Sequence, residues 1–148
     1  MSTEPLLPVY GPEAEPFFAG CRAGELRVQR CPDTQRLIFP PRWVSPWGSH
    51  AEPEWTVLSG RGVIWSFAIP HPPLLPWFAE RAPYNVVLVA LEEDPRIRLV
   101  GNLLARDGGD LNEIDAAALE IGMSVRVTFD LITDEVTLPR WVAVHEET

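Results

Sequence analysis

The chain contains no lysine. All 12 of its basic residues are arginine, set against 21 acidic ones, for a formal net charge of -9. Without a side-chain amine there is no Schiff-base or ammonium chemistry. Without clustered positive charge, the counterion release that drives nucleic-acid binding is missing too, so no nucleic-acid partner is expected. Cysteine is scarce: Cys21 and Cys31 alone are too few for a disulfide framework and are expected as free thiols, with Cys21 in a small buried apolar role. No apolar run approaches the roughly 20 residues of a membrane span, and the opening MSTEPLLPVYGPEAEP has neither the basic region nor the apolar core of a secretion signal. The expectation is a cytoplasmic protein with no membrane partner. A nucleophile elbow, a His-Glu pair at helical spacing and a phosphate-binding glycine loop are also absent, so no catalytic residue is assigned.

The most telling shortage is of metal ligands. Cys31, Thr34, Ser45 and Gly48 stand at C-x2-C-x10-C-x2-C spacing, yet only the first carries a thiol. A structural zinc requires four ligands of the thiolate, imidazole or carboxylate kind. His50 and His71 with Cys31 make an irregular set without paired spacing, so zinc and every other cofactor are expected to be absent. The module should hold its shape without metal, with Trp43 and Trp47 burying apolar area in its place.

What is present reads as mainly β structure in three stretches. Residues 1–24 are a proline-rich acidic lead followed by a short helix, with Pro16 suited to its first turn and Gly24 to its stop. Residues 25–54 form the degenerate ribbon: ELRVQRC alternates as a half-buried strand, PDTQ turns, RLIFPPRWV is a second strand, and SPWGSHAEPEW is a second knuckle. Residues 55–148 give five strands and one helix. WTVLSGRGVIWSFAI is a long first strand bent at Gly60-Arg61-Gly62, YNVVLVALEE and RIRLVGNLLA are the second and third, a helix over IDAAALEIG is introduced by a capping box at Asp110 and Glu113, and SVRVTFDLI and EVTLPRWVAV complete the set. That order is the order of a five-stranded OB barrel.

The helix with PFF, then GELRVQRC, LIFPPR, EWTVLSGRGVIW and a proline-rich loop ending in PY follow one another in a recognisable series from Pro16 to Arg140. The series resembles the family of rubredoxin-like zinc-ribbon plus OB-fold proteins long known as domain of unknown function thirty-five. The resemblance implies a small subunit that partners a thiolase-like protein on acyl-CoA substrates, in an aldolase or thiolase step of steroid, lipid or aromatic-acid degradation. The small subunit completes the active-site entrance and leaves the chemistry to its partner. The departure is the metal site, where the family carries four cysteines. Two other readings stand beside this one: a nucleic-acid-binding OB domain, which needs a basic groove with stacking aromatics, and a self-contained acyl-CoA enzyme, which needs a catalytic set.

Ile69–Asn85 is the strongest candidate segment. Five prolines stiffen it, and Leu74, Leu75, Trp77 and Phe78 are too apolar for a freely solvated loop, so it either plugs the barrel or meets another subunit. His71, Leu75, Trp77 and Phe78 are accordingly candidate partner contacts. Phe17 and Phe18 join them, because adjacent helical positions cannot both face one core. For acyl-CoA the candidates are Tyr84, as a hydrogen-bond donor at the loop exit, and Arg61, Arg96 and Arg98. Arg96 and Arg98 are expected to alternate on one strand face, and all three guanidiniums are suited to phosphates.

Overall fold

The structure is a computed structural model and describes residues 4–145. A helix, α1 (Glu15–Ala23), follows a single 3-10 turn at Pro12–Ala14. Pro16 lies in its first turn, and Gly24 ends it in the left-handed region at φ 77°, its N–H bonding to Cys21 and Gly20 carbonyls. Phe17, Gly20 and Cys21 recur at three- and four-residue intervals and are the buried face. Gly20 has no room for a side chain: a Cβ there would stand 2.8 Å from the Glu25 carbonyl oxygen.

The ribbon is a three-stranded antiparallel sheet made of β1 (Leu26–Arg30), β2 (Leu37–Ile38) and β3 (Glu54–Leu58), with β1 in the centre. This corrects the long bent strand expected from residue 55 onwards. Its first half, β3, pairs with β1 from Leu26↔Leu58 to Arg30↔Glu54 and belongs to the ribbon. The chain then turns at Gly60, φ 78°, and β4 (Arg61–Ala68) enters the barrel. The bulge also moves, from Gly60-Arg61-Gly62 to between Ile64 and Ser66.

The remaining strands are β5 (Val86–Leu91), β6 (Arg98–Gly101), β7 (Leu103–Leu104), β8 (Ser124–Leu131) and β9 (Thr137–Ala143), paired in the order β6-β5-β4-β8-β9-β7. The two ends of that order, β6 and β7, are separated along the chain by Asn102 alone. The sheet therefore curls round an OB-type core, with β7 lying parallel to β9 while all its other pairings are antiparallel. A single side chain makes the crossing possible. Asn85 donates from Nδ2 to the Leu103 carbonyl at 2.9 Å and accepts the Leu103 N–H at Oδ1 at 2.7 Å, acting as a one-residue strand partner where the ladder breaks. Asn102 donates to the Asn85 carbonyl and accepts from Arg140, so the seam is a buried polar network closed on itself.

The expected helix over IDAAALEIG does not form. Glu113 does accept the Asp110 N–H, as in a capping box, but only a 3-10 turn at Ala116–Ala118 follows, capped by Asp115. Leu119 is extended at ψ 132° and buries its side chain in the barrel core. A segment this short gains too little from helical hydrogen bonds to outweigh that burial. Helix, ribbon and barrel share one apolar core, in which Phe17 and Cys21, Leu26 and Val28, and Ile64, Val89, Leu99 and Trp141 all meet. No helix among the described residues is long and apolar enough to cross a membrane.

Candidate functional site: loop plug, relic knuckle and arginine groove

The proline-rich loop packs against the barrel. Residues Pro76–Ala79 make one helical turn, α2, that the sequence did not suggest. Leu74, Trp77 and Phe78 pack with buried Tyr84, Leu104, Leu111 and Val142 in a second, smaller core. Arg81 lies 3.7 Å above the Trp77 ring and donates to the Trp77 carbonyl. Trp77 and Phe78 thus make intramolecular contacts while staying half-buried, and the ring of Tyr84 is sunk against Phe78, 5.5 Å away, in the position of a loop anchor. Leu75, 56% exposed, and His71 remain on the outside. Of the helical pair, Phe17 enters the core, while half-buried Phe18 stacks on Tyr10 at 4.1 Å. The lead supplies the cover that adjacency on the helix left wanting.

The relic metal site keeps its knuckles and replaces its ligands. Cys31 N–H bonds to the Arg36 carbonyl and Gln35 N–H to the Cys31 carbonyl, closing the first turn; Ser45 N–H reaches Ala51, and Ser45 Oγ accepts the Trp47 N–H at 3.1 Å in the second. The fourth ligand position is blocked: a Cβ on Gly48 would fall 2.4 Å from Asp33 Oδ2, and that carboxylate already accepts the Ser49 N–H and hydroxyl. His50 turns its Nδ1 to the Ser45 carbonyl at 2.9 Å. Among the described residues, no three His, Cys, Asp or Glu side chains gather to hold a metal. The residues present do not fit the tetrahedral zinc of a ribbon.

Cys31 has no accessible surface. Burial pushes its thiol up, but the hydroxyls of Ser45 and Thr34 and the N–H groups of Thr34 and Asp33 outweigh that and bring it down from 9.0 to about 7. A folded value below the ordinary one means that the fold favours the thiolate. The resulting stability is complete above pH 9 and is lost as pH falls through 7. Cys21 acts in the opposite sense, since desolvation raises it to about 11 and its contribution is lost between 9 and 11. Wild type should therefore gain on Cys31→Ala in urea midpoint as the buffer moves from pH 6.5 to 9. A constant difference between the two proteins would refute the thiolate assignment.

The three candidate arginines do not converge. Arg96 lies in the turn before β6 instead of alternating with Arg98 on a strand, and its guanidinium meets the Asp94 carboxylate at 3.0 and 3.1 Å. Arg98 lies 3.7 Å above the Trp65 ring on the outer barrel face. Arg61, exposed at the start of β4, borders a separate cavity of about 320 Å³ with Val63 and Val144. What the fold does bring together is Arg96 with Arg36 and Arg42, two residues that sequence reasoning passed over. They border a groove of about 310 Å³ between ribbon and barrel, together with Trp47 and Phe39. Arg36 and Arg42 flank LIFPPR visibly enough, but nothing in the sequence announces that the turn after the second barrel strand will reach them.

A ribbon of rubredoxin shape, joined to an OB barrel through a common core, defines the architectural class. The chain belongs to the ChsH2 family: the model described as "ChsH2, C-terminal OB-fold domain" matches residues 55–130, and that described as "ChsH2, rubredoxin-like zinc ribbon domain" matches residues 18–44. It is 36% identical over 114 residues to the 3-oxo-4,17-pregnadiene-20-carboxyl-CoA hydratase alpha subunit of Mycobacterium tuberculosis, covering 76% of this chain and 32% of the relative. It is 31% identical over 123 residues to a probable enoyl-CoA hydratase alpha subunit of Thermomonospora curvata, covering 83% and 35%. The chain thus spans about a third of the length of the curated relatives it matches. Among solved structures, a chain of the Ltp2-ChsH2(DUF35) aldolase superposes with a TM-score of 0.77 at 30% identity, over 93% of this chain and 98% of that one. A DUF35-family protein of unknown function from Sulfolobus solfataricus, at 14% identity and a TM-score of 0.56 over 90% and 87%, shares the fold.

Proposed function

We propose that this chain is a non-catalytic accessory subunit of a thiolase-like acyl-CoA enzyme, working in the cytoplasm on an aldolase or thiolase step of steroid, lipid or aromatic-acid degradation and holding no zinc of its own. The observation that carries the reading is the near end-to-end match to a chain of the Ltp2-ChsH2 aldolase. The matches to hydratase alpha subunits support an acyl-CoA substrate. The chemistry of the chain agrees. A carbon–carbon lyase needs a base held by an orienting partner and an oxyanion stabiliser. Here the thiol with a lowered pKa is surrounded by hydroxyls and amides in place of a base. In this reading the partner holds the reacting carbons, and this subunit shapes the approach to them and meets the polyanionic end of the substrate.

Reconstitution tests it. This chain alone should turn over no acyl-CoA, the thiolase-like partner alone should be nearly inactive, and the two together should be active, with no zinc attributable to this chain by elemental analysis. Full activity of the partner by itself, or turnover by this chain by itself, would remove the accessory role.

A further inference from the structure

A groove bordered by three arginines is out of keeping with a chain of net charge -9. Its acidic neighbour is Asp94, and Arg96 already holds that carboxylate through both oxygens. The Arg42 guanidinium has no hydrogen-bonded or ionic partner among the described residues, yet its backbone is fixed. Buried Gln29 accepts the Arg42 N–H at 2.7 Å and donates to the Arg42 carbonyl at 2.9 Å, tying the segment to β1. Arg36 lies 3.9 Å from the centre of the Trp47 ring, a layered platform of indole and guanidinium. Phe39 adds a second ring to the wall.

Free guanidiniums select phosphate, and a ring stacked under a guanidinium selects a flat heterocycle that can add a further layer. The volume, about 310 Å³, is at the lower end of what a small-molecule pocket offers. We infer that this groove, with Arg36, Arg42, Arg96 and Trp47 as its contacts, binds the phosphorylated adenosine end of acyl-CoA, an inference that rests on the accessory-subunit reading for the identity of the ligand. Arg42 takes phosphate oxygens; Arg96, held by Asp94 through Nε and Nη2, offers only its remaining Nη1; and the purine stacks on the Arg36–Trp47 platform. The groove focuses positive potential on a molecule that otherwise repels polyanions. Binding the nucleotide end here, away from the partner's reacting carbons, leaves the acyl end free to reach them.

Adenosine 3′,5′-bisphosphate is the probe, titrated calorimetrically into the full chain and into the reconstituted complex. Saturable binding at one site per chain is expected, weaker for adenosine and for inorganic phosphate. Loss of a charged contact should weaken it about tenfold or more in Arg42→Ala. Arg106→Ala, which removes an exposed guanidinium outside the groove, should leave it unchanged. Because the Arg42 side chain makes no hydrogen bond or ion pair among the described residues, its replacement should not alter the melting temperature. Trp47→Ala should reduce the advantage of the nucleotide over phosphate. Unchanged affinity in Arg36→Ala and Arg42→Ala, equal affinity for phosphate and nucleotide, or binding of an acidic peptide in place of the nucleotide would each overturn the assignment. The two proposals fail separately. Partner-dependent turnover without nucleotide binding removes the groove and keeps the accessory role; arginine-dependent nucleotide binding without any effect on a partner's turnover does the reverse.

Discussion

Replacing Asn85 with leucine should lower the unfolding free energy by about 3 kcal/mol or more, read as a shift in urea midpoint at unchanged slope. The side chain satisfies both the N–H and the C=O of Leu103, and the residue is 2% exposed. Leucine is of similar size but leaves two buried backbone groups without partners, and each such group costs about 1–3 kcal/mol. For a domain whose whole stability is of the order of 5–15 kcal/mol, that is a large fraction. Asn85→Asp provides the control. A carboxylate still accepts the Leu103 N–H but faces the Leu103 carbonyl without a proton to donate. The aspartate variant should therefore recover stability as the pH is lowered and the acid protonates, whereas the leucine variant should not. A loss below about 1 kcal/mol for leucine would mean that water or a shifted strand takes over the pairing, and that the seam is not held by this side chain.

The parts of the fold legible in the sequence are those governed by local rules. Proline in the first turn and glycine at the stop bound α1 as expected, and alternation in LRVQR gives the central ribbon strand. The breaks were not legible, because each depends on a partner distant in sequence. WTVLSGRGVIWSFAI has the pattern of one strand, and only β1 claiming Trp55 to Leu58 divides it between two sheets. RIRLVGNLLA likewise reads as continuous, whereas Asn102 breaks it so that Leu103 and Leu104 can cross to β9. At the candidate site, the loss of metal ligands was plain from residue types. The substitutes were not: Asp33 filling the place of a Gly48 side chain is a contact across 15 residues, and Arg96 borders one groove with Arg42, more than 50 residues away. The loop misled in a different way. Its apolar content fits a plug and an interface equally, and the packing of Trp77 and Phe78 against Leu104, Leu111 and Val142 depends on strands far along the chain.

At Trp141 the expected losses are the largest of any single truncation. The residue has no exposed surface, pairs with Leu103 on one side and Val127 on the other, and sits where ribbon, helix and barrel cores join. Trp141→Ala should cost about 3–5 kcal/mol, the usual range for emptying a large aromatic site. Trp141→Phe should cost much less than the volume difference alone suggests. The indole Nε1 is buried with no hydrogen-bond partner among the described residues, and removing an orphaned donor returns part of what the lost ring atoms contributed. Gly101 is the counterpart. A Cβ there would stand 2.8 Å from both Cδ1 and Nε1 of Trp141, so Gly101→Ala drives a methyl group into the indole. The two positions should therefore be strongly non-additive: Gly101→Ala is destabilising in wild type and close to neutral when Trp141 is alanine and the space is empty. Denaturant titration of the four proteins should give a coupling of about 1 kcal/mol or more. Additive costs would show that Gly101 is required by its backbone and not by the ring beside it.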